Sequence, residues 1–360
     1  MPTTKSAFGT HKQETAMMVL RTSSVLLASA LALLPVCSAA GATYVIRPDG
    51  LGDYATIQAA IGEATDSDIL ELTDGTFTGD GNRDITVPSR GITIRSQSGD
   101  PMACIIDCEG SARAEHRGFY FDATVGTGDA TLQGIAVING YTTGNGGGII
   151  IEGTDTVVDN CIIGQCMAAG SLKRGGGVYI SSNASPHFVD CTITGCTAPY
   201  GGGVNIYVAG GLFESCTIID NTGTTLAGGV YMQGATPSQF IGCSIVSNEA
   251  MKVGGVRTHS TTAGDISLDS CDISRNEATY DYAGGINLLS GTTVTNCTIV
   301  ENSALFGAGG GVYCSGGGCE LTRCIIAYSA SGGGVAASAE GNEPDVTCCD
   351  VYENVGGNYD

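Results

Sequence analysis

The chain is short of charge, and shorter still of positive charge. Charged residues make up 14 % of its 360 residues, with only 15 Lys or Arg beside 36 Asp or Glu; soluble domains carry roughly 25 %. At a formal net charge of −21 it lacks the clustered cations that neutralise phosphate, which excludes nucleic acid as a partner. Trp is absent and aromatic residues reach only 6 %. No apolar run approaches the ~20 residues needed to cross a bilayer, so no membrane span is expected. No Gly-X-Y period exists, which excludes collagen. Apolar residues stand at an ordinary 42 %, so the low charge does not signal disorder. Against these shortages stand two excesses, 56 Gly and 16 Cys; the usual Gly share is only ~7 %.

The N-terminus reads as an address. After a polar stretch, Met17-Met18-Val19-Leu20-Arg21 leads into the apolar run Val25 to Leu34, then Pro35 and the small residues Ser38-Ala39-Ala40-Gly41-Ala42. One positive charge, a short apolar core and small residues at a cut site describe a secretory signal peptide, cleaved after Ala40 or Ala42. The polar leader points to Met17 or Met18 as the true start. Leu34-Pro35-Val36-Cys37 is a poor lipobox, because Val precedes the Cys. The expected location is therefore outside the cell or on its surface.

A repeat governs the rest. Gly-Gly-(Val/Ile) recurs with its apolar residue at Ile149, Val178, Val204, Val230, Val256, Ile286, Val312 and Val335. A second anchor follows at Cys161, Cys191, Cys216, Cys243, Cys271, Cys297, Cys324 and Cys349. Two residues after each Cys stands Ile or Val. Five after it come Cys166, Cys196, Asn221, Asn248, Asn276, Asn302, Ser329 and Asn354, marking a corner. Each copy holds three short runs of period-2 apolar residues, which means strands. The residue before each Cys is mostly Asn, Asp, Ser or Gly, types that tolerate the left-handed backbone of a tight bend. A unit too small to bury its own apolar face must stack on its neighbours. Three strands per turn, stacked at ~4.8 Å, give an all-β fold: a parallel β-helix of about 10–11 coils.

Residues 43–140 are less regular but begin the same coil. Within Thr56-Ile57-Gln58-Ala59-Ala60-Ile61, the residues Ile57, Ala60 and Ile61 share one helical face and Thr56 can act as N-cap, predicting a helix that covers the open end. The organisation expected is a leader and signal peptide over 1–42, cap and first coils over 43–140, and regular repeats over 141–360, with 43–360 one continuous domain.

Asp53 to Ile61, followed by Asp74-Gly75-Thr76-Phe77, resembles the cap and first coil of pectin-lyase-like right-handed β-helix proteins. Gly79-Asp80-Gly81-Asn82-Arg83-Asp84-Ile85 and Cys104-Ile105-Ile106-Asp107-Cys108 are similar to secreted bacterial proteins of the parallel β-helix repeat class. The Gly-Gly-Gly-Val-Tyr and Phe-x-x-Cys elements resemble repeats of polymorphic outer-membrane proteins, although Cys191, Cys216 and Cys243 stand where those carry Asn. The likeness implies a right-handed coil. It further implies that the coil continues past Gly356-Gly357-Asn358, because relatives commonly do. One fold hosts many functions, so the chemistry must come from side chains.

In each first strand the positions one and three residues after the Gly-Gly-(Val/Ile) anchor point outward, and the resemblance implies that this face binds polysaccharide. Its candidates are Tyr179, Asn205, Tyr207, Tyr231, Gln233, Arg257, His259, Asn287 and Tyr313. Tyr rings can stack on sugars, and the others can donate to hydroxyls or carboxylates; the same residues also suit an ordinary exposed strand. Catalysis has thinner support. Glycosidases need paired carboxylates, and the stripe offers only Glu152. The Asp-rich galacturonase signatures and the Gly-His-Gly motif are missing. Arg257 and His259 could serve as cationic stabiliser and base, with Asp265, Asp269 or Asp281 as loop acids. Because Arg257 and nearby Lys252 are the only cations of the stripe, an anionic polymer is disfavoured.

Asp80 to Asp84 imitates the start of a calcium loop but has Ile85 where Gly is needed, and zinc spacings are missing; no metal and no cofactor are expected. The ladder cysteines should be buried thiols, since parallel stacked side chains miss disulfide geometry. Cys314–Cys319 and then Cys166–Cys196 are the pairs best placed to bridge. Three functions stay open: binding of carbohydrate or a surface partner without catalysis, a polysaccharide lyase or glycoside hydrolase, and a structural adhesin-type passenger.

Overall fold

A unit with one apolar face can bury it only against copies of itself, and the chain does so by winding into a right-handed parallel β-solenoid of about eleven turns. The computed structural model describes residues 41–126, 128–234, 237–259, 266–289 and 291–359. The signal segment over 1–40 and Asp265 lie outside the described residues. Parallel sheets run along the coil axis. The first has ten strands, from Ile85–Ser89 to Gly333–Ala337, and contains the strands that follow Gly-Gly. The second has twelve, from Thr43–Ile46 to Asp345–Thr347, and the third eleven, from Gly75–Phe77 to Asp350–Tyr352. A fourth sheet of seven two-residue strands, Tyr141–Thr142 to Ser303–Ala304, joins the regular coils. Two residues are too few for a period-2 pattern, so this side of the coil is not legible as a strand in the sequence.

The register is the one the repeat predicts: Val178, Val204, Val230, Val256, Ile286, Val312 and Val335 lie side by side in the first sheet. The residue before each ladder Cys is left-handed, with φ between +48° and +57° at Asn160, Asp190, Ser215, Ser270, Asn296, Arg323 and Cys348. The glycine pair has a different cause. At Gly202 and Gly228 the backbone lies directly on the two-residue strand of the next coil, and a Cβ would run into the carbonyls of Thr222 and Glu249. Close approach, and not only backbone freedom, demands glycine there.

Inside the coil each row stacks on itself. Phe188, Phe213 and Phe240 lie nearly parallel, with ring centroids 4.7 and 4.5 Å apart. Each ladder thiol donates to two carbonyls; Cys216 Sγ reaches Phe188 O at 3.5 Å and Glu214 O at 3.4 Å. Of the asparagines expected only to mark a corner, Asn221, Asn248, Asn276 and Asn302 are fully buried. Asn248 Nδ2 donates to Ile218 O at 2.9 Å and to Asn276 Oδ1 at 3.0 Å, while its own Oδ1 accepts from the backbone N and Nδ2 of Asn221. Burying so polar a row is tolerable because every amide atom finds a partner in the next copy.

All fifteen described cysteines are free thiols, thirteen of them buried. The expected bridges Cys314–Cys319 and Cys166–Cys196 are not formed. Cys166 and Cys196 occupy equivalent positions in successive coils, so their side chains run parallel rather than toward each other, and Cys319 Sγ instead donates to Gly316 O at 3.3 Å. Burial pushes the Cys104 thiol up to about 12, which makes it an inert hydrophobe. At the N-terminal end the helix Ile57–Glu63 buries Ile57, Ala60 and Ile61, and Thr56 Oγ1 accepts from the N–H of Ala59 at 3.2 Å, as its sequence predicts. Among the described residues no helix is long and apolar enough to cross a membrane.

Three outcomes are expected. Replacing Asn248 by Ala should lower unfolding free energy by about 2–4 kcal/mol, because partners on both sides lose a buried bond. Phe213→Ala should cost about 3–5 kcal/mol, whereas Thr217→Ala on the outer surface should stay within about 0.5 kcal/mol; denaturant melts measure all three. In the native protein a thiol reagent should label exposed Cys348 fast and the buried ladder only on unfolding. Thiols that stay unreactive after unfolding without reductant would restore the bridges.

Candidate functional site

Alternate side chains of the first-sheet strands leave the coil, and the register stacks them into two rows. Along one row run Tyr120, Ile150, Tyr179, Asn205, Tyr231, Arg257, Asn287 and Tyr313. Along the other run Asp122, Glu152, Ser181, Tyr207, Gln233 and His259.

The first row faces outward but is not open. Asn205 and Asn287 are fully buried, and Tyr179 and Tyr231 nearly so, which corrects the expectation of a free surface at these four positions. The cause is the corner just before each glycine pair, whose side chains fold over the strands. Arg174 lies over the rings of Tyr200 and Tyr207, its Cζ 5.3 and 4.4 Å from their centroids, and Tyr200 in turn lies 6.0 Å from Tyr231. Further along, Tyr282 stacks on Tyr313 at 5.7 Å and takes both Arg257 (5.2 Å) and Lys252 (5.3 Å) over its ring. Desolvation raises the hydroxyl pKa of Tyr179 and Tyr231, for Tyr231 against the opposing pull of Arg257. The second row is the more accessible one: Tyr207 is 36 % exposed and Gln233 and His259 are half-buried, although Ser181 is buried; in the first row Arg257 and Tyr313 are half-buried.

Among the described residues several polar atoms on this face have no partner. Arg257 Nε and Nη1, Arg174 Nη1 and both amide atoms of Asn205 are buried without a hydrogen bond. Asn287 differs, donating to Ser315 Oγ at 2.9 Å. A guanidinium beside an aromatic ring with two unpartnered nitrogens keeps unused donor capacity at the edge of this face.

The N-terminal part of the face gathers residues that sequence reasoning missed. Tyr120 donates to Glu152 Oε2 at 2.8 Å and Ser181 to Glu152 Oε1 at 2.9 Å. Asp122 is the register neighbour of Glu152, so the stripe holds two adjacent carboxylates rather than one. Burial first, then the bond to Glu152, pushes the Tyr120 hydroxyl up to about 12. Beside them a cavity of about 230 Å³ is lined by Asp84, Glu115, His116, Arg117 and Thr142; there His116 Nδ1 meets Asp84 Oδ2 at 2.6 Å. The strand Phe119–Gly126 lacks the glycine triplet, and its only signal was the alternation Phe119-Tyr120-Phe121. Arg174, Tyr200 and Tyr282 sit at corners, which the strand pattern does not address. They add a cation, Arg174, to the two expected on the stripe.

The suggested loop acids separate. Asp281 approaches the face, acting with desolvation to raise the Tyr313 hydroxyl. Asp269 ends a strand of the second sheet and accepts from Asn296 Nδ2 at 2.8 Å, away from Arg257.

The chain matches the family described as right handed beta helix region over residues 66–226 and again over 176–351. No curated protein sequence matches it. Among solved structures it is similar to the A-module of the mannuronan C-5 epimerase AlgE6 from Azotobacter vinelandii, at 12 % identity and a TM-score of 0.53, covering 84 % of this chain and 94 % of that one. It is also similar to pectate lyase Pel9A, at 13 % identity and a TM-score of 0.45, covering 87 % and 80 %. These likenesses concern the fold.

Glu152→Gln should lower the titration midpoint of Tyr120, because a neutral amide no longer penalises the phenolate. It should stay above the ordinary value, since desolvation remains the larger cause. Alkaline titration followed by tyrosinate absorbance reads the shift, with Tyr120→Phe identifying the band.

Proposed function

The chain belongs to the right handed beta helix family, and from that premise we propose that it is an exported polysaccharide-binding protein whose ligand lies on the outer face of the first sheet. The observation that carries this reading is Arg257, a half-buried residue beside the Tyr282 ring whose buried Nε and Nη1 have no partner among the described residues. Unpaired buried donors are costly unless a ligand oxygen completes them. Tyr207, Gln233 and His259 form an accessible row alongside, offering ring faces and donors to sugar hydroxyls. Arg174, Lys252 and Arg257 make this strip locally positive on a chain of net charge −21, which widens the ligands it can take to acidic sugars. Export rests on the segment before Thr43, with its apolar run and small residues up to Ala40 or Ala42.

A second reading, hydrolase or lyase, is favoured by Glu152 with its register neighbour Asp122 and its hydrogen bond from Tyr120. Paired carboxylates on one face are what glycosidic chemistry requires. It would act at the N-terminal part of the face and not at Arg257 and His259.

A glycan array, run beside assays for new reducing ends and unsaturated products, separates the readings. The native protein should bind and release nothing. Tyr207→Ala and Arg257→Ala should each weaken binding about tenfold, as expected for losing one stacked or charge-assisted contact, with unchanged thermal midpoint. Product release abolished by Glu152→Gln would make it an enzyme. Binding to no glycan at all would leave the adhesin-type passenger.

A further inference from the structure

Among the described residues the two most exposed aromatic side chains lie on neighbouring coils. Tyr280 is 66 % and Phe306 79 % exposed, and their centroids lie 6.2 Å apart. Both sit in the loop that follows the fourth sheet, after the strands Glu277–Ala278 and Ser303–Ala304. Met251 and Leu305 are exposed in the same tier of loops, where the N–H groups of Tyr280 and Asp281 donate to Met251 O. Packing within the chain does not account for so much exposed apolar surface at one corner.

We propose that Tyr280 and Phe306 form a stacking platform for a pyranose ring of the same polysaccharide that lies on the first-sheet face. The inference rests on that reading of the face and extends it around the corner. Continuity carries it. Tyr280, Asp281 and Tyr282 are consecutive, so the exposed pair passes directly into the Tyr282–Tyr313 stack and its cations Lys252 and Arg257. The ring pairs Tyr280–Phe306 and Tyr282–Tyr313 are thus two residues apart along the chain where the loop meets the face, and Lys252 and Arg257 beside the second pair can meet hydroxyls. A flat ring with an apolar face and a polar edge matches that pattern. A second copy of the chain fits less well, because two bodies of net charge −21 repel.

The test uses the full chain in affinity electrophoresis through gels containing soluble mannan, xyloglucan, polygalacturonate or alginate. Whichever polysaccharide retards the native protein should bind the Tyr280→Ala/Phe306→Ala variant about tenfold more weakly. Both side chains are exposed, so the unfolding midpoint should not move. Equal retardation of this variant, with Tyr207→Ala still weakened, would overturn the platform and leave the face. If the native protein runs unretarded in every gel, face and platform fall together. A dimer in light scattering that the double variant turns into a monomer would make the patch an interface between copies, and the platform would be lost.

Discussion

In the regular coils a buried side chain stacks on the residues at the same position of the coils above and below it, about 4.8 Å away, and in several rows these are copies of itself. That constraint decides which residues can face inward, because each must be complementary to itself. Phenylalanine qualifies by stacking. Asparagine qualifies because its amide donates and accepts, so Asn221, Asn248, Asn276 and Asn302 satisfy one another in series. Cysteine qualifies as a small hydrophobe whose S–H finds carbonyls at the corner. A charged residue would stack like on like in a medium of low dielectric, and none occupies these rows.

The glycine excess has the same origin. Where the coil turns from the fourth sheet into the first, backbone touches backbone of the adjacent coil, and Gly202 and Gly228 leave no room for a side chain. Each closure brings the corner residue just before the glycines onto the outside of the first strand. The fold therefore does more than display an outer strand surface. It covers one row of that surface with Arg174, Tyr200, Lys252 and Tyr282 and leaves the other accessible.

Outside the coil the same stacking rule operates under different chemistry. Like charges in successive coils would repel, and here each cation is set among rings: Arg174 on Tyr200 and Tyr207, Arg257 and Lys252 on Tyr282. Aromatic faces stabilise guanidinium and ammonium groups without neutralising them. Among the described residues these three cations form no salt bridge, although the chain carries a net charge of −21.

The solenoid, its register, the helix over Ile57–Glu63 and the left-handed positions before each cysteine were legible from residue types alone. Each depends on local patterns repeated at a fixed period, and repetition turns a weak propensity into a firm one. The two-residue fourth sheet was not legible, being too short to show a period. The site was half legible. Tyr207, Gln233, Arg257 and His259, which keep some exposure, were placed on the outer face because they follow the anchor at a fixed distance. The same rule selected Tyr179, Asn205, Tyr231 and Asn287, which the corners bury, and it passed over Tyr120, Glu152's role, Tyr282 and Phe306. What sequence determined by itself was the coil, because stacking is a one-dimensional rule. Which outward residues meet solvent, which cations lie on which rings, and which rings pair with one another were decided only by the tertiary structure, since those contacts join corners to strands across coils where no periodic pattern reaches.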